Sequence, residues 1–315
     1  MVSLEQVQQI YRQPLVSLVF DAQTIHRQHH QTDAVQLCTL SNIKSGRCPE
    51  DCKYCPQSAR YDTEIENYPL LPLETVIEQA KTAKENGSTR FCMGAAWRQV
   101  PDGQEFDRVL EMVSAVADLG MEACVTLGML RPDQAKRLAE AGLTAYNHNL
   151  DTSANFYPEI ITTRTYSDRL KTIEAVAAEG IQVCCGGIVG LGESEQDRIE
   201  LLHTLANLNP QPESVPINAL SPVEGTPLSD AAIVEPIVLV RTIATARILM
   251  PKAIVRLSAG RHRLSVTDQA LCFMAGANSI FSSEKLLTTV NPSIDDDASM
   301  FAQLGIAAWE TVPQR

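Results

Sequence analysis

At 315 residues, 44% of them hydrophobic, the chain is long enough to bury a sizeable core and too apolar to be a disordered segment. A formal net charge of −12 excludes a general nucleic-acid binder, because nothing would neutralise a run of phosphates. No run approaches about eighteen apolar residues, and MVSLEQVQQIYRQ lacks a basic segment followed by an apolar one, so neither a membrane span nor a secretory signal is expected. A cytoplasmic location follows as an expectation. In a reducing compartment nine cysteines point to thiolate ligation of soft metals rather than to disulfides.

Residues 1–34 read as a helical extension, with His26, His29 and His30 on a solvated helix rather than at a metal site. From there β-branched or apolar runs alternate with helical patterns. Strands are predicted at 36–45, 89–95, 122–127, 145–150, 181–188, 214–220, 254–260 and 277–281. Helices are predicted at 73–86, 104–119, 131–141, 167–179, 194–207, 236–250 and 265–275, several ending at a glycine: Gly87, Gly120, Gly142, Gly180 and Gly276. Residues 291–315 read as a last helix and an acidic tail that includes Asp295, Asp296 and Asp297. Eight strands separated by seven helices give an α/β chain with a (β/α)8 TIM-type barrel over 35–290 as its one large domain. A doubly wound open sheet is the alternative architecture.

The strands are odd for a barrel interior, which Val, Ile and Leu ordinarily fill. They carry Arg90, Cys92, Cys124, Asn147, Asn149, Cys184, Asn218 and Arg256. Alternation puts Arg90 with Cys92 on one face, and Asn147, Asn149 and Asp151 on another. Unpaired Arg and Asn are costly in an apolar core, so a polar cavity is expected at their meeting point.

After the first strand comes Cys48-Pro-Glu-Asp-Cys52-Lys-Tyr-Cys55, on the loop at the strand's C-terminal end, where barrel enzymes place their chemistry. A structural zinc would want a fourth ligand nearby, and neither Cys nor His follows within reach of the loop. Three thiolates with one position open suit a [4Fe–4S] cluster. The spacing CxxxCxxC, with Tyr54 before the last cysteine, resembles the signature of the radical S-adenosylmethionine (SAM) superfamily. The resemblance implies that SAM chelates the open iron and is cleaved to a 5′-deoxyadenosyl radical, the protein's task being to position the cofactor and exclude water. It extends to Met93-Gly94-Ala95-Ala96, expected near the methionyl group. It also reaches Gly186 to Glu193, a GxIxGxxE string whose Ile188 and Gly190 are expected near adenine. By itself that glycine string is no more than a tight strand-to-helix turn, and it lacks the third glycine of a dinucleotide fingerprint.

Cys92, Cys124 and Cys184 fall in three predicted strands and Arg256 in a fourth. A lone strand cysteine is ordinarily a small buried hydrophobe, but three at comparable depth could hold a [2Fe–2S] cluster. The strings RFCMGAAW, MEACVTLG, YNHNLDT, ITTRTY, CGGIVGLGE, VPIN, VRLSAGR and CFMAGANSIF resemble the biotin synthase family from about Val35 to Val290. That resemblance implies Cys48, Cys52 and Cys55 as ligands to [4Fe–4S], and Cys92, Cys124, Cys184 and Arg256 as ligands to [2Fe–2S]. Physics alone suggests only a buried arginine paired with a carboxylate at position 256. Two departures stand out: Cys184 is followed by Cys185, which should face the helical layer, and Cys38 falls where serine is expected and reads as structural. Cys272 reads as core.

The resemblance further implies that Tyr54, Gly94, Ala95, Ala96, Asn149, Asp151, Ile188 and Gly190 bind the cofactor, and that Asn147, Asn149, Asp151 and Asn218 contact dethiobiotin. Without it, the asparagines could simply cap the next helix. His148 alternates to the other face and reads as a structural hydrogen-bonder. The implied reaction is a sulfurtransferase step: radical removal of hydrogen from dethiobiotin, then sulfur insertion from the [2Fe–2S] cluster to give biotin. No side chain is expected as a catalytic acid or base, since an alkyl C–H is too weak an acid for one. Implied partners are an electron donor such as a flavodoxin or ferredoxin, iron–sulfur assembly proteins and a second copy in a homodimer. Other readings are a related barrel of hydrogenase-maturation or methylornithine type, and a non-enzymatic iron–sulfur scaffold.

Overall fold

The computed structural model describes residues 1–283 and 285–309. Two helices, α1 (Leu4–Tyr11) and α2 (Leu15–His29), lead into strand β1 (Ala34–Lys44). Then follow α3 (Leu73–Glu85), β2 (Arg90–Ala95), α4 (Gln104–Asp118), β3 (Glu122–Thr126), α5 (Pro132–Glu140) and β4 (Ala145–Asn147). After them come α6 (Tyr157–Ile160), α7 (Tyr166–Ala178), β5 (Gln182–Cys184), β6 (Gly187–Val189), α8 (Glu195–Asn207) and β7 (Ser214–Ala219). The chain continues with α9 (Pro236–Leu249), β8 (Ile254–Leu257), α10 (Val266–Met274) and β9 (Ser279–Phe281). It ends in a hairpin of β10 (Lys285–Leu286) and β11 (Thr289–Val290), then α11 (Ile294–Leu304) and β12 (Ala307–Ala308).

The helices start and stop for local reasons. Thr165, Ser194, Ser265 and Ser293 each accept the backbone N–H three residues on, where an aspartate reaches back to close the capping box. All five glycines expected at helix ends have positive φ, from 73° to 100°, the left-handed region a Cβ would disfavour.

β1, β2, β3, β4, β5, β7, β8 and β9 pair in parallel in that order, and β1 pairs with β9, which closes the (β/α)8 barrel and rules out the open sheet. From Cys38 the register passes to Arg90 and then Glu122. Carried on through β4, β5, β7, β8 and β9, it returns to the line of β1 eight residues earlier. That stagger is the usual one for this fold, and it sets inward positions of alternate strands at common heights. Outward residues such as Leu37, Phe91, Val125, Val183 and Val215 pack on the helices in one continuous core. Inward residues include the polar and sulfurous side chains expected from the strand composition, together with Leu40, Ala145 and Phe281. At the lower end Arg90 donates to Glu122 (2.9 Å) and Glu213 (3.2 Å), and Gln36 donates to Glu122 (2.9 Å), so the buried charge is paired.

Three expectations need correction. The strand expected to run to position 150 stops at Asn147. There Asn149 accepts the N–H of Gly186 (3.1 Å) and Asp151 adopts φ 67°, turning the chain out of the sheet. The strand expected over 181–188 is split into β5 and β6 around Gly186, where a Cβ would lie 1.9 Å from the Pro216 carbonyl oxygen. His26 is not solvated: it is buried on α2 with its ring stacked on His30 at 5.3 Å. The last helix of the 291–315 segment is α11, while residues 310–315 of the expected tail lie outside the described residues. α6, the hairpin and β12, which extends β1 at Ala34, had no sequence counterpart.

Candidate active site

A cavity of about 310 Å³ occupies the C-terminal half of the barrel, within the range of small-molecule sites. Its mouth is formed by the loop after β1. Cys48 N–H donates to Gln57 O (2.9 Å), Ala59 N–H to Cys48 O (2.7 Å) and Cys55 N–H to Cys52 O (2.9 Å), which curls the three cysteines round one side of the opening. The loop is pinned to residues 162–164. Asp51 accepts the N–H groups of Thr162 (2.9 Å) and Thr163 (3.2 Å), and Glu50 accepts from the Thr163 hydroxyl. Against slight burial, a hydrogen bond from the Thr162 hydroxyl together with the bonds from Thr162 and Thr163 N–H holds the Asp51 carboxyl down to about 2. Arg164 brings a guanidinium to within 3.8 Å of Cys52 Sγ.

Burial raises the thiol pKa of Cys48, takes Cys52 up to about 11 and Cys55 up to about 12, so metal binding here must displace protons. Among the described residues no three His, Cys, Asp or Glu converge as a single ion would need. Three thiols on one loop, with no histidine beside them in the cavity mouth among the described residues, are the donor type that iron–sulfur clusters take.

One wall carries the polar groups. Asp151 is held between Tyr54, whose hydroxyl donates at 2.8 Å, and the Arg169 guanidinium, which also donates to Asn149 O (2.7 Å). Asn147 accepts from Thr126 (3.2 Å) and donates to Asn149 (3.2 Å) and to Cys184 Sγ (3.3 Å). Gly94, Ala95, Ala96, Ile188 and Asn218 line the same cavity. The amide of Asn218 is already engaged, donating to Gly187 O (3.0 Å) and accepting from Ala259 N–H (3.2 Å). Gly190 lies apart, in an adjoining recess, with its N–H held by the Glu193 carboxylate (3.1 Å). His148 also lines the cavity. It is buried, its Nε2 has no hydrogen-bond partner, and burial holds its pKa well below the ordinary histidine value.

Cys92, Cys124, Cys184 and Arg256 form the floor, all facing inward and all buried. Cys92 and Cys124 are register partners on adjacent strands, and a hydrogen bond between them lowers the Cys92 pKa and raises that of Cys124. Arg256 donates to Ser279 Oγ (3.0 Å), Cys184 Sγ (3.8 Å) and Cys38 Sγ (3.3 Å), and its guanidinium lies 4.9 Å from the Phe281 ring centre. None of these partners is a carboxylate, so the simple ion pair expected from physics alone is not what holds it. A buried cation ringed by thiols is an environment that an anionic iron–sulfur cluster would complete. Cys185 and Cys272 face the outer core, as expected.

Several cavity residues escaped sequence reasoning. Arg164 was in view inside ITTRTY without a role, and Arg169 sits on a helix that showed only amphipathic spacing. The hairpin residues Leu286, Leu287, Thr288 and Thr289 close the top of the cavity, and two-residue strands leave no periodicity to read.

Comparison with known proteins adds to this geometry. The radical SAM superfamily model matches residues 42–205, and the biotin and thiamin synthesis associated domain model matches 216–307. The biotin synthase of Synechococcus sp. (strain JA-3-3Ab) is 65% identical over 305 residues, covering 97% of this chain and 98% of that one. That of Gloeobacter violaceus is 59% identical over 304 residues, covering 96% of each. Among solved structures, methylornithine synthase superposes with a TM-score of 0.82 at 18% identity, over 98% of this chain and 94% of that one. The FeFe-hydrogenase maturase of Carboxydothermus hydrogenoformans does so with 0.81 at 16%, over 98% and 76%. These two share the fold, whereas the full-length relatives at far higher identity share the family. The chain belongs to the biotin synthase family of the radical SAM superfamily.

Proposed function

We propose that this chain inserts sulfur between two unactivated carbons of dethiobiotin to form biotin. The observation that carries the reading is one cavity with three thiols at its mouth and three thiols with a buried arginine at its floor. When bound, the mouth cluster with SAM supplies the radical that removes substrate hydrogen, and the floor cluster supplies the sulfur.

The chain's own residues bind, orient and shield. Cys48, Cys52 and Cys55 hold the mouth cluster, with Arg164 beside them as a positive neighbour. Tyr54, Arg169 and Asp151 form a linked set whose carboxylate suits a ribose diol, and Gly94, Ala95 and Ala96 offer a smooth surface to the methionyl chain. Asn147 and Asn149 supply the mixed donor and acceptor edge that a ureido ring needs, and Asn218, two strands along, lines the same cavity. Ile188 supplies an apolar contact for adenine, and Gly190 shapes the turn behind it. Cys92, Cys124, Cys184 and Arg256 hold the floor cluster. The one histidine on the wall is kept neutral by burial, consistent with chemistry that uses no side-chain acid. Barrel 35–290 works as a unit in this reading, with the helices of 1–34 and α11 as supports. A flavodoxin- or ferredoxin-type donor, iron–sulfur assembly proteins and a second copy of the chain are the proposed partners. No helix is long and apolar enough to cross a membrane among the described residues, and a cytoplasmic location is part of the proposal.

The test is anaerobic reconstitution with iron and sulfide, followed by addition of dethiobiotin, SAM and a low-potential reductant. Biotin should form only when all three are present. Cluster loading without SAM cleavage would leave the scaffold reading in its place.

A further inference from the structure

At the mouth, Cys52 takes a hydrogen bond from a cation: Arg164 Nη2 stands 3.8 Å from its Sγ. Arg164 is built into this place. Its side chain is 8% exposed, it lines the cavity, and it immediately precedes Thr165, the cap of α7. The cysteine loop fixes the backbone that carries it, through the Asp51 bonds to Thr162 and Thr163. Glu50, from the same loop, fixes its head. That carboxylate is 3% exposed, lies 3.8 Å from Arg164 Nε and 3.3 Å from Arg98 Nη1, and accepts from the Thr163 hydroxyl. Charge in this knot does not balance. Arg169 is matched by Asp151, but Glu50 is shared between Arg98 and Arg164 and neutralises each only in part. Arg164 Nε has no hydrogen-bond partner. A buried cation with spare donors is costly unless an anion beside it completes its setting, and thiolate-bound iron next to Cys52 is such an anion.

We infer that Arg164 tunes the mouth cluster. Its guanidinium donates to the Cys52 thiolate and raises the potential at which an electron is accepted, and Glu50 sets how much of that charge is felt. The inference rests on the mouth-cluster reading above. Reduction adds one electron, from the flavodoxin- or ferredoxin-type donor already proposed, and no proton moves, because the guanidinium stays charged in both states. Hydrogen bonds to ligand sulfur and nearby charge are two of the factors that set such potentials. Arg164 acts through the Cys52 sulfur, as a positioning residue.

The experiment is a redox titration of the reconstituted full-length protein without SAM, read on the low-temperature electron paramagnetic resonance signal of the reduced larger cluster. Wild type is compared with Arg164→Leu, Arg164→Lys, Glu50→Gln and Cys52→Ala, with iron and sulfide counted in each. Arg164→Leu should keep its iron and lower the reduced-to-oxidised ratio at a fixed potential about tenfold, a midpoint about 59 mV lower. Arg164→Lys keeps the charge but loses the fork, and should lower the ratio about threefold. Glu50→Gln still accepts from Thr163, and by freeing the guanidinium should raise the ratio about threefold. A merely loosened loop would not give opposite signs at the two positions. If Arg164→Leu fails to load, the lysine and Glu50 variants carry the same comparison. Equal midpoints in all loaded variants, or shifts of one sign from Arg164 and Glu50, would overturn the proposal. Should Cys52→Ala hold as much iron and sulfide as the wild-type chain, the mouth-cluster reading itself fails and this inference falls with it.

Discussion

Cys48, Cys52 and Cys55 stand on one loop at the barrel mouth, two of them half-buried, whereas Cys92, Cys124 and Cys184 come from three separate strands and are sealed from solvent. The spacing of the first set is fixed by eight residues of chain and by the short turn that Cys52 and Cys55 close. The spacing of the second is fixed by sheet register, through pairings such as Cys92 with Cys124 and Asn147 with Cys184. A loop site can therefore lose or gain its metal by local rearrangement. A strand site keeps its geometry whether or not it is loaded, because moving one sulfur means breaking the ladder.

The largest effect that would sharpen this contrast comes from Cys52→Ala. It should remove about four irons per chain and all biotin formation, since a cluster with only two thiolates is not retained. The smaller cluster and the thermal transition should be unchanged. Iron counting and calorimetry check both, and loss of the floor cluster as well would break the claim that the two sites are independent. Next comes Asp151→Asn. Asparagine tolerates the positive φ at 151, so the backbone is spared, but the buried Arg169 loses its carboxylate partner. A loss of about 3 kcal/mol in denaturant unfolding is expected, together with weaker SAM binding and intact iron content.

The two sets also differ in how far a sequence reveals them. The mouth cysteines are legible because the motif is contiguous. The barrel is legible because apolar runs alternate with helical patterns, five of which stop at a glycine of positive φ. The floor is legible only in part. Alternation says that Cys92 and Cys124 face inward, but nothing local says that they are paired, or that Cys184 and Arg256 share their depth. Those facts depend on the stagger accumulated over the closed sheet. Cys38 shows the limit most clearly: read along the chain it is one buried cysteine in an apolar run, and only the closing pairing of β1 with β9 sets it beside Arg256. Arg169 was hidden for a similar reason, since a helix residue reaches the cavity only where the chain has turned at Asp151.

A region outside both sets gives a smaller, separable effect. Burial, helped by Arg247 and His30, lowers the pKa of His26 to about 3 in the folded chain, against about 6.5 when unfolded. Between those values the unfolded state holds the extra proton, so stability falls as pH drops below about 6.5, by at most about 1.4 kcal/mol per pH unit. At pH 5 the expected loss is about 2 kcal/mol, and His26→Gln should flatten that part of the stability–pH curve. Cluster content should not respond, because α2 packs on α9 outside the barrel wall.

The smallest effect tests the lid over the cavity and not its thiols. A Cβ on Gly94 would lie 2.7 Å from Leu287 Cδ2, the free end of a flexible side chain, and 3.8 Å from the Ser41 carbonyl oxygen. Gly94→Ala should therefore displace the tip of the β10–β11 hairpin by a rotamer change, with no break in the strand, at about 1 kcal/mol of overpacking. Although Gly94 stands two residues from Cys92 and Leu286 packs with Cys92 and Cys124, the clash falls on the free end of Leu287 alone, so iron content and both optical spectra should match the wild-type chain. KM for the small-molecule substrates should rise about fivefold while folding stability barely moves. If Gly94→Ala instead bleaches either cluster, the hairpin is part of a cage, and the division between a loop-built mouth and a strand-built floor no longer describes the site.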